Sequence, residues 1–235
     1  MATIYLIRHG QASFGSDNYD ELSDLGRRQA QIMGEFLRDS GIQLDAAYSG
    51  DLWRQRETCQ LALASQQGDV PHTIDARFNE VQNDEQIEFL LPGVIAGNPE
   101  IQALVNRGLS ASKDYQKVID AVFNYWVSPQ CDDSRIQSWE AFSGGTRDAL
   151  ARVMKEQGAG KTVGIFSSGG TIATMVAQVL GLTGAQTYQF YEPMMNCSIT
   201  QLFYNRDKVS LSYFNDCTFL RVLGAQLDEN LITYR

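Results

Sequence analysis

The short apolar, β-branched run Thr3-Ile4-Tyr5-Leu6-Ile7 leads directly into Arg8-His9-Gly10. A stretch without polar alternation reads as a strand buried on both faces, the kind found inside a parallel sheet. The residues just after such a strand lie at the carboxyl edge of the sheet, where open α/β folds bind their ligands. Arg-His at that edge suits attack on a phosphate: a guanidinium orients and neutralises the oxyanion while an imidazole supplies the nucleophile. The chain has only two histidines, so the placement of one of them here is informative.

Strand and helix signals alternate outward from this point. Leu25, Gln29, Ile32 and Phe36 keep helical spacing, with Ser23 as N-cap and Gly41 as stop. Asp45 to Ser49 reads as a second strand, Asp51 to about Gln67 as a helix, and Thr73 to Phe78 as an edge-like third strand. Between Asp84 and Asp133 only short helical stretches are expected, broken at Pro92-Gly93, Asn98-Pro99 and Pro129. This segment carries no convincing strand and reads as an insertion capping the core. A helix from Ser138 to Gln157 ends at Gly158, and Thr162-Val163-Gly164-Ile165-Phe166 is another buried strand feeding Ser167-Ser168-Gly169-Gly170. Ile172, Met175, Val176, Val179 and Leu180 then form a helical stripe. Ser198 to Tyr204 and Val209 to Phe214, around Asn205-Arg206-Asp207, predict a hairpin. The pattern predicts a three-layer α/β/α sandwich with a mostly parallel sheet, one domain over 1–235 with a helical cap at about 84–133.

Composition bounds the partners. Hydrophobic residues make up 43% and charged residues 20%, as in an ordinary globular chain of 235 residues. The formal net charge of −9, with no Lys/Arg run, disfavours nucleic acid and anionic membranes. Cys59, Cys131, Cys197 and Cys217 form no CxxC pair, so packing thiols are expected, with no metal site or disulfide framework. No membrane-length apolar run and no signal peptide is visible, which makes cytoplasm the expected compartment. No heptad run specifies an oligomer.

Four pieces converge on the carboxyl edge. Arg8-His9-Gly10 follows the first strand. Arg54 lies just inside the second helix, Glu80 follows the third strand, and Ser168-Gly169-Gly170 opens a helix whose free N–H groups and dipole favour an anion. His72, after Pro71 at the other end of a strand, is expected at the surface. Arg56, Arg107, Lys113 and Lys117 read as solvated charges, and Trp126 and Trp139 as core.

With these residues in order, the chain resembles the histidine phosphatase superfamily, also called the phosphoglycerate mutase-like family. The likeness rests on Leu6-Ile7-Arg8-His9-Gly10-Gln11-Ala12, on Leu22-Ser23-Asp24-Leu25-Gly26-Arg27-Arg28-Gln29-Ala30, and on Leu52, Arg54 and Thr58. It continues through Phe78-Asn79-Glu80, Ser167-Ser168-Gly169-Gly170, Asn196-Cys197-Ser198 and Asn215. The resemblance implies a metal-independent and cofactor-free phosphohistidine route. His9 would be the nucleophile and Glu80 the acid and base, with Arg8, Arg54, Ser168 and Gly169 binding the phosphate of a small molecule or phosphoprotein.

Two departures stand out. The family's second histidine corresponds here to Ser168, a neutral donor whose substitution costs about 1–2 kcal/mol of phosphate stabilisation, or roughly tenfold to thirtyfold in rate. The tryptophan-asparagine pair of mutases is replaced by Ala12-Ser13-Phe14-Gly15-Ser16. A phosphomonoesterase is therefore the leading expectation, a catalytically weak phosphate-ester-binding module the second, and a phosphoglycerate mutase the third.

Overall fold

The computed structural model describes residues 1–13, 20–109 and 112–234. Its framework is a six-stranded sheet built from β1 (Ala2–Arg8), β2 (Ala46–Ser49), β3 (His72–Ile74), β4 (Thr162–Ser167), β5 (Ile199–Asn205) and β6 (Lys208–Asp216). The spatial order is β3-β2-β4-β1-β5-β6. β1, β4, β2 and β3 run parallel, while β5 and β6 form the antiparallel flank.

The pleat of β1 shows why the fold has three layers. Ile4 and Leu6 point into a core shared with α6 (Trp139–Gln157) and α7 (Gly169–Val179). Tyr5 and Ile7 point the other way, into a core shared with α1 (Asp24–Asp39), α2 (Trp53–Leu63) and α9 (Thr218–Leu227). Both sets are buried, which is the physical content of an uninterrupted apolar strand.

The expected caps hold. The Ser23 side chain accepts from the Gly26 N–H and that of Ser138 from the Ala141 N–H, while Gly158 ends α6 at φ 71°. Other expectations need correction. The third strand stops at Ile74, and Ala76–Phe78 is a 3-10 turn started by the Asp75 side chain. Helix α3 (Asn83–Gly97) runs straight through Pro92 instead of breaking there. Asn98 does mark a boundary, because its side chain caps α4 (Pro99–Asn106) at Ile101. α5 (Ser112–Trp126) comes next in the chain, and α3 to α5 share an aliphatic and aromatic core with Trp126 and Phe142. α8 (Gly184–Tyr191) and α9 lie outside the elements expected from the sequence, although α9 packs Phe219, Leu220 and Leu223 into the core. Among the described residues no helix is long and apolar enough to cross a membrane.

The turn after β1 is held by close backbone contact with the start of α1. A Cβ on Gly26 would lie 2.1 Å from the Gln11 carbonyl oxygen, which is main chain and cannot step aside as a flexible side chain would. Gly26→Ala is therefore expected to destabilise the fold by about 1–3 kcal/mol, read as a lower urea midpoint. Gly144, within α6 with nothing within 4 Å of its Cβ position, serves as the contrast. Gly144→Ala is expected to gain about 0.5–1 kcal/mol.

Candidate active site

The carboxyl ends of β1 and β4 lie side by side, and the main chain after β1 is tied on several sides. The His9 N–H donates to the Ser167 carbonyl at 2.9 Å, and the Gly10 N–H donates to Thr58 Oγ1 at 3.1 Å. Asn196 Nδ2 donates to the His9 carbonyl at 3.2 Å. His9 is thus presented from a fixed backbone with only 4% of its surface exposed.

The two ring nitrogens of His9 face opposite demands. Nδ1 lies 2.7 Å from the Gly10 carbonyl oxygen, which can only accept, so Nδ1 carries the proton. Nε2 lies 3.2 Å from Nε of Arg54, which can only donate, so Nε2 keeps its lone pair. Burial, then the charges of Arg54 and Arg8, hold the imidazole pKa well below its ordinary value. The result is a neutral ring with an unprotonated Nε2, the form a nucleophile requires.

Arg54 itself is fixed. Its Nη1 donates to Asp20 Oδ1 at 2.7 Å, and the other Asp20 oxygen accepts from the Trp53 N–H at the start of α2. The Thr58 hydroxyl donates to the Arg54 carbonyl. Arg8 Nη1 donates to the carbonyl groups of Met194 and Tyr234, which brings the C-terminal stretch against the site.

Glu80 stands where the 3-10 turn delivers it. Its Oε1 accepts from the Val81 and Gly170 N–H groups, both at 2.9 Å. A Cβ on Gly170 would come within 2.6 Å of that oxygen, so the glycine lets the carboxylate reach the first turn of α7. Burial raises the Glu80 pKa, against the pull of Arg54, Arg8 and the two N–H groups. The acceptor at this helix end is therefore the protein's own carboxyl group.

A cavity of about 550 Å³ opens on Arg8, His9, Arg54 and Glu80, a size suited to a small ligand. Ser168 and Gly169 are brought close to these four but are not among the residues lining that cavity. Ser168 is fully buried, and its Oγ accepts from Gln55 Nε2 at 2.7 Å. Gly169 leaves room behind the wall: a Cβ there would meet the Tyr191 ring at 2.9 Å and Arg8 Nε at 3.7 Å.

The remaining candidates lie elsewhere. His72 Nε2 pairs with Ser49 Oγ on the sheet, Arg56 stacks over Trp53, and Lys117 pairs with Glu100. Arg107 and Lys113 do not line the cavity either. Cys197 and Cys217 are buried, and burial pushes the Cys197 thiol far up. Phe14, Gly15 and Ser16 lie outside the described residues.

Sequence reasoning missed Asp20, Gln55, Tyr191 and Tyr234. Asp20 carries no pattern of its own, and Gln55 looks like any helix glutamine until its burial is seen.

The architecture is that of the phosphoglycerate mutase-like α/β proteins. The chain belongs to the histidine phosphatase superfamily, branch 1, whose model matches residues 4–88 and 99–217. Among solved structures, phosphoserine phosphatase from Entamoeba histolytica, determined in complex with phosphoserine, superposes with a TM-score of 0.65 at 19% identity. That match covers 94% of this chain and 100% of the other. Phosphoglycerate mutase from Bacillus anthracis gives 0.67 at 20% identity, covering 93% and 94%. At such identities the likeness is one of fold. A 2,3-bisphosphoglycerate-dependent phosphoglycerate mutase of Allorhizobium ampelinum is 39% identical over 67 residues, 26% of this chain and 32% of that protein. The chain thus spans about a third of the length of the curated relatives it matches.

The Gln55–Ser168 pair generates a prediction. In the observed Ser168 rotamer, an imidazole at 168 would meet the Gln55 amide, itself fully buried with Oε1 lacking a partner. Ser168→His is expected to lower the urea midpoint, by about 1–3 kcal/mol of stability. Gln55→Ala combined with Ser168→His is expected to recover most of that loss.

Proposed function

We propose that this protein hydrolyses a phosphomonoester through a phosphohistidine at His9. The observation that carries the reading is the neutral, Nδ1-protonated imidazole of His9, whose unprotonated Nε2 accepts from Arg54, in the lining of a cavity shared with two arginines and a buried carboxyl group. The lone pair on Nε2 forms the N–P bond while the bond from phosphorus to the ester oxygen breaks. The leaving alkoxide takes the proton of Glu80. Water then attacks the phosphohistidine, Glu80 takes a proton from it, and orthophosphate leaves with Nε2 unprotonated again. Each cycle consumes one ester and one water and yields one alcohol and one phosphate.

Arg8 and Arg54 present their guanidinium groups to the phosphoryl oxygens, and charge developing there strengthens those bonds in the transition state. Gly169 acts by giving Arg8 and Tyr191 their places. The helices within about 84–133 cap a single domain and supply one wall of the cavity. The substrate is a phosphorylated small molecule, and the chain works in the cytoplasm without a metal or cofactor. The second reading, a binding module of low activity, draws support from Ser168: a fully buried, neutral hydroxyl whose oxygen accepts from Gln55 does not carry the charge of an imidazolium facing phosphate.

The pH dependence follows in sign from the two shifted groups. His9 must be unprotonated, and its pKa is depressed, so the acidic limb moves to low pH. Glu80 must be protonated to act as acid, and its pKa is raised from 4.5, so activity on alkyl phosphates falls as pH rises through that raised value. Phosphate release is expected to follow a bell-shaped pH profile whose acidic limb is moved down and whose alkaline limb is moved up. His9→Ala abolishes it, and Glu80→Gln lowers it by about 10²- to 10⁴-fold and removes the alkaline limb. Release unchanged in His9→Ala contradicts the proposal.

A further inference from the structure

The phosphate end of the cavity is set by Arg8, His9, Arg54 and Glu80, and the rest of its wall has the opposite electrostatic character. Asp84, Glu85 and Glu192 all line it, and among the described residues Arg8 and Arg54 are the only cationic side chains that do. None of the three carboxylates forms an ion pair among the described residues, in contrast to Asp20, which is paired with Arg54.

The local electrostatics of the three carboxylates differ. Asp84 and Glu85 sit in the first turn of α3, where the helix dipole favours negative charge. Glu192 is the C-cap of α8, where the same dipole opposes it. It also faces a like charge, because Asp120 on α5 has its pKa raised first by burial and then by Glu192. A carboxylate kept at a helix C-terminus beside another acid goes against local electrostatics, the kind of conflict that marks a functional position. Tyr115, Tyr188 and Tyr191 line the same wall, and aromatic faces attract cations.

We propose that the cavity selects phosphomonoesters whose alcohol half carries a cationic amine and no second anion. The phosphate is held by the two arginines and the ammonium by the rim of Asp84, Glu85 and Glu192 with its tyrosine faces. A second carboxylate or phosphate on the ester is repelled by three uncompensated negative charges. A sugar-acid phosphate is accordingly a poor ligand, which separates this site from one made for mutase chemistry. The inference rests on the phosphomonoesterase reading above and adds the class of alcohol.

The test is a matched pair of two-carbon esters, phosphoethanolamine and phosphoglycolate, which differ in carrying an ammonium or a carboxylate. At low ionic strength kcat/KM is expected to favour phosphoethanolamine by about tenfold or more. The ratio should shrink towards 1 M salt, where the Debye length is about 3 Å, a change that leaving-group chemistry would not produce. Glu192→Lys is expected to lower the ratio several-fold. Equal turnover of the pair, or a preference for phosphoglycolate, overturns the selectivity while leaving the phosphatase reading intact. No phosphate from either ester or from p-nitrophenyl phosphate overturns both.

Discussion

The hydrogen bond from His9 Nδ1 to the Gly10 carbonyl, with Arg54 Nε donating to Nε2 from the other side, is the constraint on which the site depends. An imidazolium would set an N–H against a guanidinium N–H, so the geometry itself selects the neutral ring. Much of the fold can be understood as keeping these three groups in register. β1 lies between β4 and β5 in the middle of the sheet, and α2 offers Thr58 to Gly10 and Arg54 to His9. Asp20 then holds both the guanidinium and the first turn of that helix.

The second organising feature is the use made of the α7 N-terminus. Open α/β proteins commonly present such a helix end to a phosphate. Here the Gly170 N–H is directed at Glu80, so the helix dipole steadies a buried carboxyl group near the cavity. Desolvation and these donors pull the Glu80 proton affinity in opposite directions, and desolvation prevails. A carboxyl group balanced in this way can both give and take a proton, which a hydrolytic cycle through a phosphoenzyme requires.

Much of this was legible in the sequence, for identifiable reasons. β1 and β4 could be read because full burial demands continuous apolar character, and the starts of α1 and α6 because Ser23 and Ser138 are strong caps. His9, Arg8, Arg54 and Glu80 could be placed together because each lies where a strand ends or a helix begins at the same edge of the sheet. Other features depend on tertiary contact. Pro92 fits inside α3 although proline usually ends a helix, and Asp75 turns the expected strand end into a 3-10 turn. The Ser168 oxygen accepts from Gln55, a pairing of residues 113 positions apart in the chain that no local pattern announces. The acidic and tyrosine wall is likewise assembled from α3, α5 and α8, none of which carries a distinctive pattern when read singly.

The central claim is that Nε2 of His9 takes the phosphoryl group. It is tested most directly by mixing the protein with an excess of ester, quenching within the first turnover under alkaline conditions that preserve phosphohistidine, and locating the label by peptide mass spectrometry. The account predicts a phosphoryl group on the peptide containing His9, bonded at Nε2 and absent from His9→Ala. Phosphate release with no covalent label, or with the label on any other residue, would contradict it.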